Sequence, residues 1–239
     1  MKRYIKAAVH SISDEDYDVQ KELALFPDST PEMLDTLADS IYPSIRELVA
    51  KNKNTDVSTL LKLCNDEDPG VKLAISKRPF KEEEIPVLET LLHDPSSTVR
   101  MLILWNYTLP DEVLLPLVND EEVEVRKNLA GVLSDTNALD RLAHDEDADV
   151  RFAVAENPAT DSGTLHFLAN DEDRYVKSAV AANKNTDNSD LKLLATDIHP
   201  NVRYSVAKNL KTPKDILEIL SNDKFGVVRE KANHRLHRS

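Results

Sequence analysis

A β-branched residue followed by a polar or basic one returns nine times along the chain. The pairs are Val19-Gln20, Ile45-Arg46, Val71-Lys72, Val99-Arg100, Val125-Arg126, Val150-Arg151, Val176-Lys177, Val202-Arg203 and Val228-Arg229. Successive anchors lie 26, 26, 28, 26, 25, 26, 26 and 26 residues apart, a register that chance does not hold over 239 residues. Self-similarity at such a period indicates a stack of small units, none of which can bury its apolar face alone.

With each anchor taken as position 0, other residue types keep the same register. Position −11 is Leu34, Leu60, Leu88, Leu114, Leu139, Leu165, Leu191 and Leu217, and position −8 is Leu37, Leu63, Leu91, Leu117, Leu142, Leu168, Leu194 and Leu220. Leucines three apart share one helical face, which predicts a short first helix in each unit. The anchor and position +4 are both apolar, as in Val150 with Val154, and position +5 is alanine in six of the nine units. This pattern predicts a second helix with a small residue where a neighbour packs closely. Helices of about eight to ten residues are marginal in water, so stacking must supply their stability. The expected fold is all-α: a right-handed α-solenoid of about nine 26-residue, two-helix repeats in one domain, 1–239. Within it, 1–18 is read as an N-terminal cap, 19–227 as repeats and 228–239 as a C-terminal cap. Between second and first helices recur Asn and Thr, as in Asn157-Pro158-Ala159-Thr160 and Asn183-Lys184-Asn185-Thr186. There Asn is expected to take a left-handed backbone at a helix end and Thr to cap the next helix. The other turn carries Asp at −5 in eight of nine units, with Ser40 as the exception.

Composition narrows the function classes. With 30 Lys and Arg against 43 Asp and Glu the net charge is −13, which argues against unspecific binding to nucleic acid or anionic membrane. No apolar run approaches the ~20 residues of a membrane span, and no apolar core follows the basic start, so a cytoplasmic protein without a secretory leader is expected. The single cysteine, Cys64, suits a reducing compartment, and its register position marks it as a small core residue. Four glycines leave little material for a phosphate-binding loop.

The unit Val150-Arg151-Phe152-Ala153-Val154-Ala155-Glu156-Asn157-Pro158-Ala159-Thr160, followed by Leu165, Leu168, Ala169 and Asp171, resembles the leucine-rich-repeat variants, relatives of the HEAT-like solenoids. The likeness covers residues 14–239 and is tightest over 125–222. It implies paired short helices, the first either α or 3-10, wound into a superhelix. Some members carry a cysteine-ligated iron–sulfur cluster before the repeats; this sequence has no N-terminal cysteine, so no cofactor is expected. Across the HEAT-like class the resemblance implies a partner-binding scaffold rather than an enzyme.

Several side-chain patterns could carry chemistry. Asp-Glu-Asp occurs at 14–16, 66–68, 145–147 and 171–173, and Asp145, Asp147, Asp149 and Glu156 copy four positions of a calcium loop. Val150 stands where that loop needs glycine, so helix capping is the expected role. The Arg or Lys at +1 forms a ladder that could track a phosphate backbone, as in HEAT-like alkylpurine DNA glycosylases. The equally long Asp ladder would cancel its field, and the two could pair within or between units. His93 and His144 sit before the repeated Asp, where other units place Asn, and read as polar helix-end residues.

More informative are the breaks in the pattern. Positions +2 and +6 of the second helix are often polar, as at Glu47, Lys51 and Lys127, and should reach solvent. Leu73, Met101, Phe152 and Tyr204 at +2 and Trp105 at +6 interrupt that pattern, and Tyr107 lies close by. They are the candidate partner-binding residues, a broken apolar strip centred on Trp105, on the wall that the HEAT-like resemblance implies is concave. The competing reading is that the 28-residue spacing turns this unit's helix so that Trp105 fills a gap. Charge is uneven: residues 199–239 carry nine Lys and Arg against four Asp and Glu, +5, leaving −18 for the rest. The function expected is non-enzymatic binding of a protein or peptide, with a basic partner favoured by the acidic faces. The alternatives are a nucleic-acid-acting repair-type protein using the basic ladder and an assembly subunit. A monomer or weak homo-oligomer is expected, with head-to-tail association favoured by the charge asymmetry.

Overall fold

The structure is a computed structural model that describes residues 16–79, 81–106 and 109–237. Tyr107, Asp14 and most of the expected N-terminal cap lie outside the described residues. The described residues form α-helices and short 3-10 turns without a strand, and the fold is an α-solenoid of two-helix repeats. None of their helices is long and apolar enough to cross a membrane. The chain divides into two compact units, Met1–Thr108 and Leu109–Ser239.

The first unit runs α1 (Tyr17–Leu25), α2 (Pro31–Leu37), α3 (Pro43–Lys51), α4 (Val57–Leu63), α5 (Pro69–Ser76), a 3-10 turn (Glu82–Glu84), α6 (Ile85–Leu92) and α7 (Ser97–Asn106). The second runs α8 (Asp111–Leu114) into a 3-10 stretch (Leu115–Asn119), then α9 (Val123–Val132), α10 (Thr136–Leu142), α11 (Ala148–Glu156), α12 (Ser162–Leu168), α13 (Arg174–Ala182), α14 (Asn188–Leu194), α15 (Pro200–Lys208), α16 (Lys214–Leu220) and α17 (Gly226–Leu236). First helices are thus α, except where Pro116 removes a helical N–H and the turn tightens to 3-10. Within each unit the second helices of successive repeats pack side by side, and the first helices pack against them.

The core is the register made solid. Every leucine at −11 and −8 is buried, as are the anchors from Ile45 to Val228 and the six alanines at +5. Val19 is the exception among the anchors, at 38% exposed. Each buried leucine contributes about 1.5–3 kcal/mol before entropy is subtracted. The 28-residue spacing is absorbed between α5 and α6, around the 3-10 turn. There Arg78 and Glu84 form a buried ion pair at 3.2 Å, and Arg78 also donates to the Ala50 carbonyl at 3.3 Å.

Polar ladders stitch consecutive repeats. Arg46 takes Asp66 of the next repeat through Nε at 2.6 Å and Nη2 at 2.8 Å, and donates through Nη1 to the Ser40 carbonyl of its own repeat at 2.7 Å. Arg126 with Asp145, Arg151 with Asp171 and Arg203 with Asp223 repeat the same fork. Lys72 with Asp94 at 2.8 Å and Lys177 with Asp197 at 2.6 Å make single contacts. Pairing of the side chains is therefore between repeats, while the backbone contact is within them. In the first repeat both partners are neutral: Gln20 stands for the cation and Ser40 for the acid, and the Ser40 hydroxyl donates to Gln20 Oε1.

Two turn expectations are corrected. No described non-glycine residue has positive φ, and the repeated Asn is extended, with φ −71° and ψ 130° at Asn52. It is placed there because its amide reaches back one repeat: Asn183 Nδ2 donates to the Ala155 and Asn157 carbonyls at 2.8 and 3.0 Å. Its Oδ1 meanwhile accepts from the Asn185 amide at 2.9 Å. Asn52, Asn157 and Asn209 do the same. The repeated Thr is not the cap either. Thr55, Thr160, Thr186 and Thr212 turn their hydroxyls to the +4 carbonyl of the preceding second helix. The cap is the next residue, Asp56 or Asp161, which accepts from the amide three residues on at 2.8 Å.

Candidate binding face

In the inner repeats the second helices bury positions 0, +4 and +5, bury or half-bury +1, and leave −1, +2 and +6 on the outer side of their layer. The register between neighbours follows from Gly70 at −1: a Cβ there would meet Glu47 Oε1, at +2 of the preceding helix, at 2.8 Å. Position +2 of one helix thus lies beside −1 of the next. Lys127 at +2 obeys the same rule. Its ammonium pKa is raised by its hydrogen bond to Glu124 and also by the Asp149 carboxylate, at −1 of the next helix.

In the first unit this face carries Leu73 on α5 and Met101 on α7, both half-buried, and Trp105 on α7, 61% exposed. Trp105 does not fill the gap left by the longer spacing, because the extra residues are taken up before α6 begins. In the second unit the face carries Phe152 on α11, half-buried, and Tyr204 on α15, 37% exposed. Two exposed residues at −1 join them, Tyr175 on α13 and Val227 on α17. By the register, Tyr175 follows Phe152 and Val227 follows Tyr204. Asn201, Tyr204, Val227, Glu230, Lys231 and His234 line one shallow depression between α15 and α17. Tyr175 and Val227 lie outside the +2 and +6 pattern of the sequence, at −1, one turn before +2 on the same face.

The other chemical candidates resolve into structure. Arg46, Arg126, Arg151 and Arg203 are occupied by carboxylates, and each of these four guanidinium pKa values is raised, chiefly by the Asp hydrogen bond. Burial is the largest single influence on Asp66 and Asp145 and opposes their ionisation, but the arginine hydrogen bond, a backbone N–H and the nearby cations together outweigh it and hold both carboxyls below the usual range. In the calcium-like run, Asp145 is committed to Arg126, and Asp147 caps α11 through the Asp149 amide at 2.8 Å. Asp68 and Asp173 cap α5 and α13 in the same way. His93 and His144 meet the carbonyls of Glu89 and Asp140, four residues back, at 2.9 and 2.8 Å, where Asn65, Asn170 and Asn222 make the equivalent bond. Cys64 is buried, and burial followed by the Asp94 charge pushes its thiol up to about 12, so it is no nucleophile at neutral pH. A second exposed apolar row, unread in the sequence, lies on the first helices at Phe167, Leu193 and Ile219, position −9 of successive repeats.

No protein-family model matches the chain, and no curated protein matches it. Among solved structures, the chain is similar to a leucine-rich repeat variant described as having a novel repetitive protein structural motif. That match has a TM-score of 0.69 and 22% identity, over 92% of this chain and 88% of the other. It establishes a shared fold with the repeat class that the register resembles. An engineered protein aligns at a TM-score of 0.33 with 16% identity, over 98% of this chain and 67% of its own. A computationally designed armadillo repeat protein for modular peptide recognition aligns at 0.30 with 16% identity, over 98% of both chains. Neither of these two alignments reaches the level of a common fold.

Proposed function

We propose that the chain is a non-enzymatic binding scaffold that takes a protein or peptide segment on the exposed face of its second helices. The observation that carries this reading is the exposure of Trp105, Tyr175, Tyr204 and Val227 at register positions that elsewhere hold polar residues. A solenoid that needed only to fold would place polar residues at those positions, as it does at Glu47, Lys127 and Glu230. Aromatic side chains with few rotatable bonds, set among charged neighbours, have the composition of binding hot spots. Within each unit, pairing between repeats orders the helices that carry these residues, which lowers the entropy lost on binding. The nucleic-acid alternative loses support, because the arginine forks that would meet phosphates are already filled by aspartates.

The test is affinity capture from host lysate with wild type, Trp105→Ala and Tyr175→Ser/Tyr204→Ser, each first checked for unchanged helicity by circular dichroism. The reading expects a protein retained by wild type and depleted at least tenfold by one of the variants. Equal retention by all three would overturn it.

A further inference from the structure

The exposed face of the second unit changes sign along its length. At its α9–α11 end the outward positions are Glu124, Lys127, Asp149 and Glu156, with Lys127 bridged to Glu124 at 3.0 Å, so the acids prevail. At its α15–α17 end Lys208, Glu230 and His234 lie at outward positions and Lys231, at +3, lines the same depression as Tyr204 and Val227, so that Lys208 and Lys231 outnumber Glu230. Between them α13 presents Tyr175, whose ring carries the Arg174 guanidinium 4.8 Å from its centroid and whose hydroxyl accepts from Arg174 Nη2 at 2.9 Å, and Ala182, flanked by Phe152 and Tyr204. The order is acidic, aromatic, basic.

We infer that this face binds an extended protein segment of complementary order: a basic residue over α11, aromatic or aliphatic residues over α13 and α15, and an acidic residue over α17. The inference rests on the binding-scaffold reading and adds the chemistry of the partner to it. Packed helices lie about 8–10 Å apart, so α11 to α17, three steps, spans roughly 24–30 Å. An extended chain advances about 3.3 Å per residue, which separates the basic and acidic residues by roughly seven to nine positions. Complementary charge at both ends fixes the direction of the segment as well as its register, and the apolar centre supplies the desolvated contact. A uniformly basic segment would be repelled at α15–α17, and a uniformly acidic one at α9–α11. The polarity therefore discriminates against the simplest charged partners.

The experiment is selection of random 16-residue peptides displayed on phage against the full chain. Winners are then retested as synthetic peptides on wild type, on Asp149→Lys/Glu156→Lys, on Lys208→Glu/Lys231→Glu and on Tyr175→Ser/Tyr204→Ser. Each variant is used only if its far-ultraviolet circular dichroism and melting temperature match wild type. The expected winners carry Arg or Lys seven to nine positions from Asp or Glu, with aromatic or aliphatic residues between. Their binding should weaken at least fivefold on each charge-reversed variant and at least tenfold on the tyrosine variant. Winners that fail only on the tyrosine variant, with no charge order, would overturn this inference and leave the scaffold reading standing. Winners indifferent to the tyrosine variant, or no enrichment at all, would overturn the inference and also tell against the binding face on this unit.

Discussion

At the scale of single residues, binding turns on which aromatic side chains are exposed. Trp105 is 61% exposed, whereas Ile103, two residues earlier on α7, is fully buried. Trp105→Ala should therefore change the free energy of unfolding by no more than about 1 kcal/mol, while Ile103→Ala should cost about 2–4 kcal/mol. Urea melts of the two variants check this, and a Trp105 penalty as large as that of Ile103 would return the tryptophan to the core. The offset of Trp105 from its anchor placed it on the outer face of the helix, and helical geometry alone sufficed for that. Tyr175 and Val227 were equally available at −1, one turn away. A second residue-scale test uses the Gln20–Ser40 contact, a neutral copy of the Arg–Asp rung. Gln20→Arg with Ser40→Asp should be better tolerated than the sum of the single changes, with a coupling of about 1–3 kcal/mol in a double-mutant cycle. Strict additivity would show that the two positions do not form a rung.

At the scale of elements, short helices are tied by side chains that reach one repeat back or forward. Asn183→Ala would strand the Ala155 and Asn157 carbonyls and the Asn185 amide. A loss of about 2–3 kcal/mol is expected in chemical denaturation, because each buried polar group left unpaired costs about 1 kcal/mol or more. Asn183→Asp, which keeps the acceptor and removes the donor, should recover only part of it. The Arg–Asp rungs predict the response to acid. Asp223 is held below its ordinary value of 3.8, first by the Arg203 hydrogen bond; at Asp66, Asp145 and Asp197 burial works the other way, but cation and backbone hydrogen bonds together outweigh it and hold them low as well. A carboxyl whose folded pKa is depressed contributes its stability fully above the unfolded value and loses it as pH falls through the folded one. These groups leave stability flat between pH 7 and 5 and withdraw it together below about pH 4. Urea midpoints at pH 7, 5 and 3 test the sign, and an unchanged or higher midpoint at pH 3 contradicts it. The existence of both ladders was legible from the period, but the choice of partner was not. Asp at −5 and Arg at +1 flank one turn in sequence, and only the stacking geometry brings Arg46 to Asp66, twenty residues on. The Asn misreading has the same origin: its acceptors lie 26 and 28 residues back, beyond the reach of local turn chemistry.

At the scale of the whole molecule, the repeat register accounts for most of what holds the chain together and for where it is free to bind. Period, helix pairing and core composition could be read from Val19 to Val228 because each buried position recurs every 26 residues or so. The division after Thr108 could not, since the anchors run on from Val99 to Val125 at the ordinary 26-residue spacing. Two exposed apolar rows remain, one on the second helices and one on the first helices at Phe167, Leu193 and Ile219. The most direct measurement decides between them. A photo-crosslinking benzoylphenylalanine is installed in turn at the second-helix positions 105, 175 and 204 and at the first-helix positions 193 and 219, then irradiated in host lysate. The account predicts a discrete protein adduct from at least one second-helix position and none from 193 or 219. Adducts confined to 193 and 219 would contradict it and move the binding surface to the first helices.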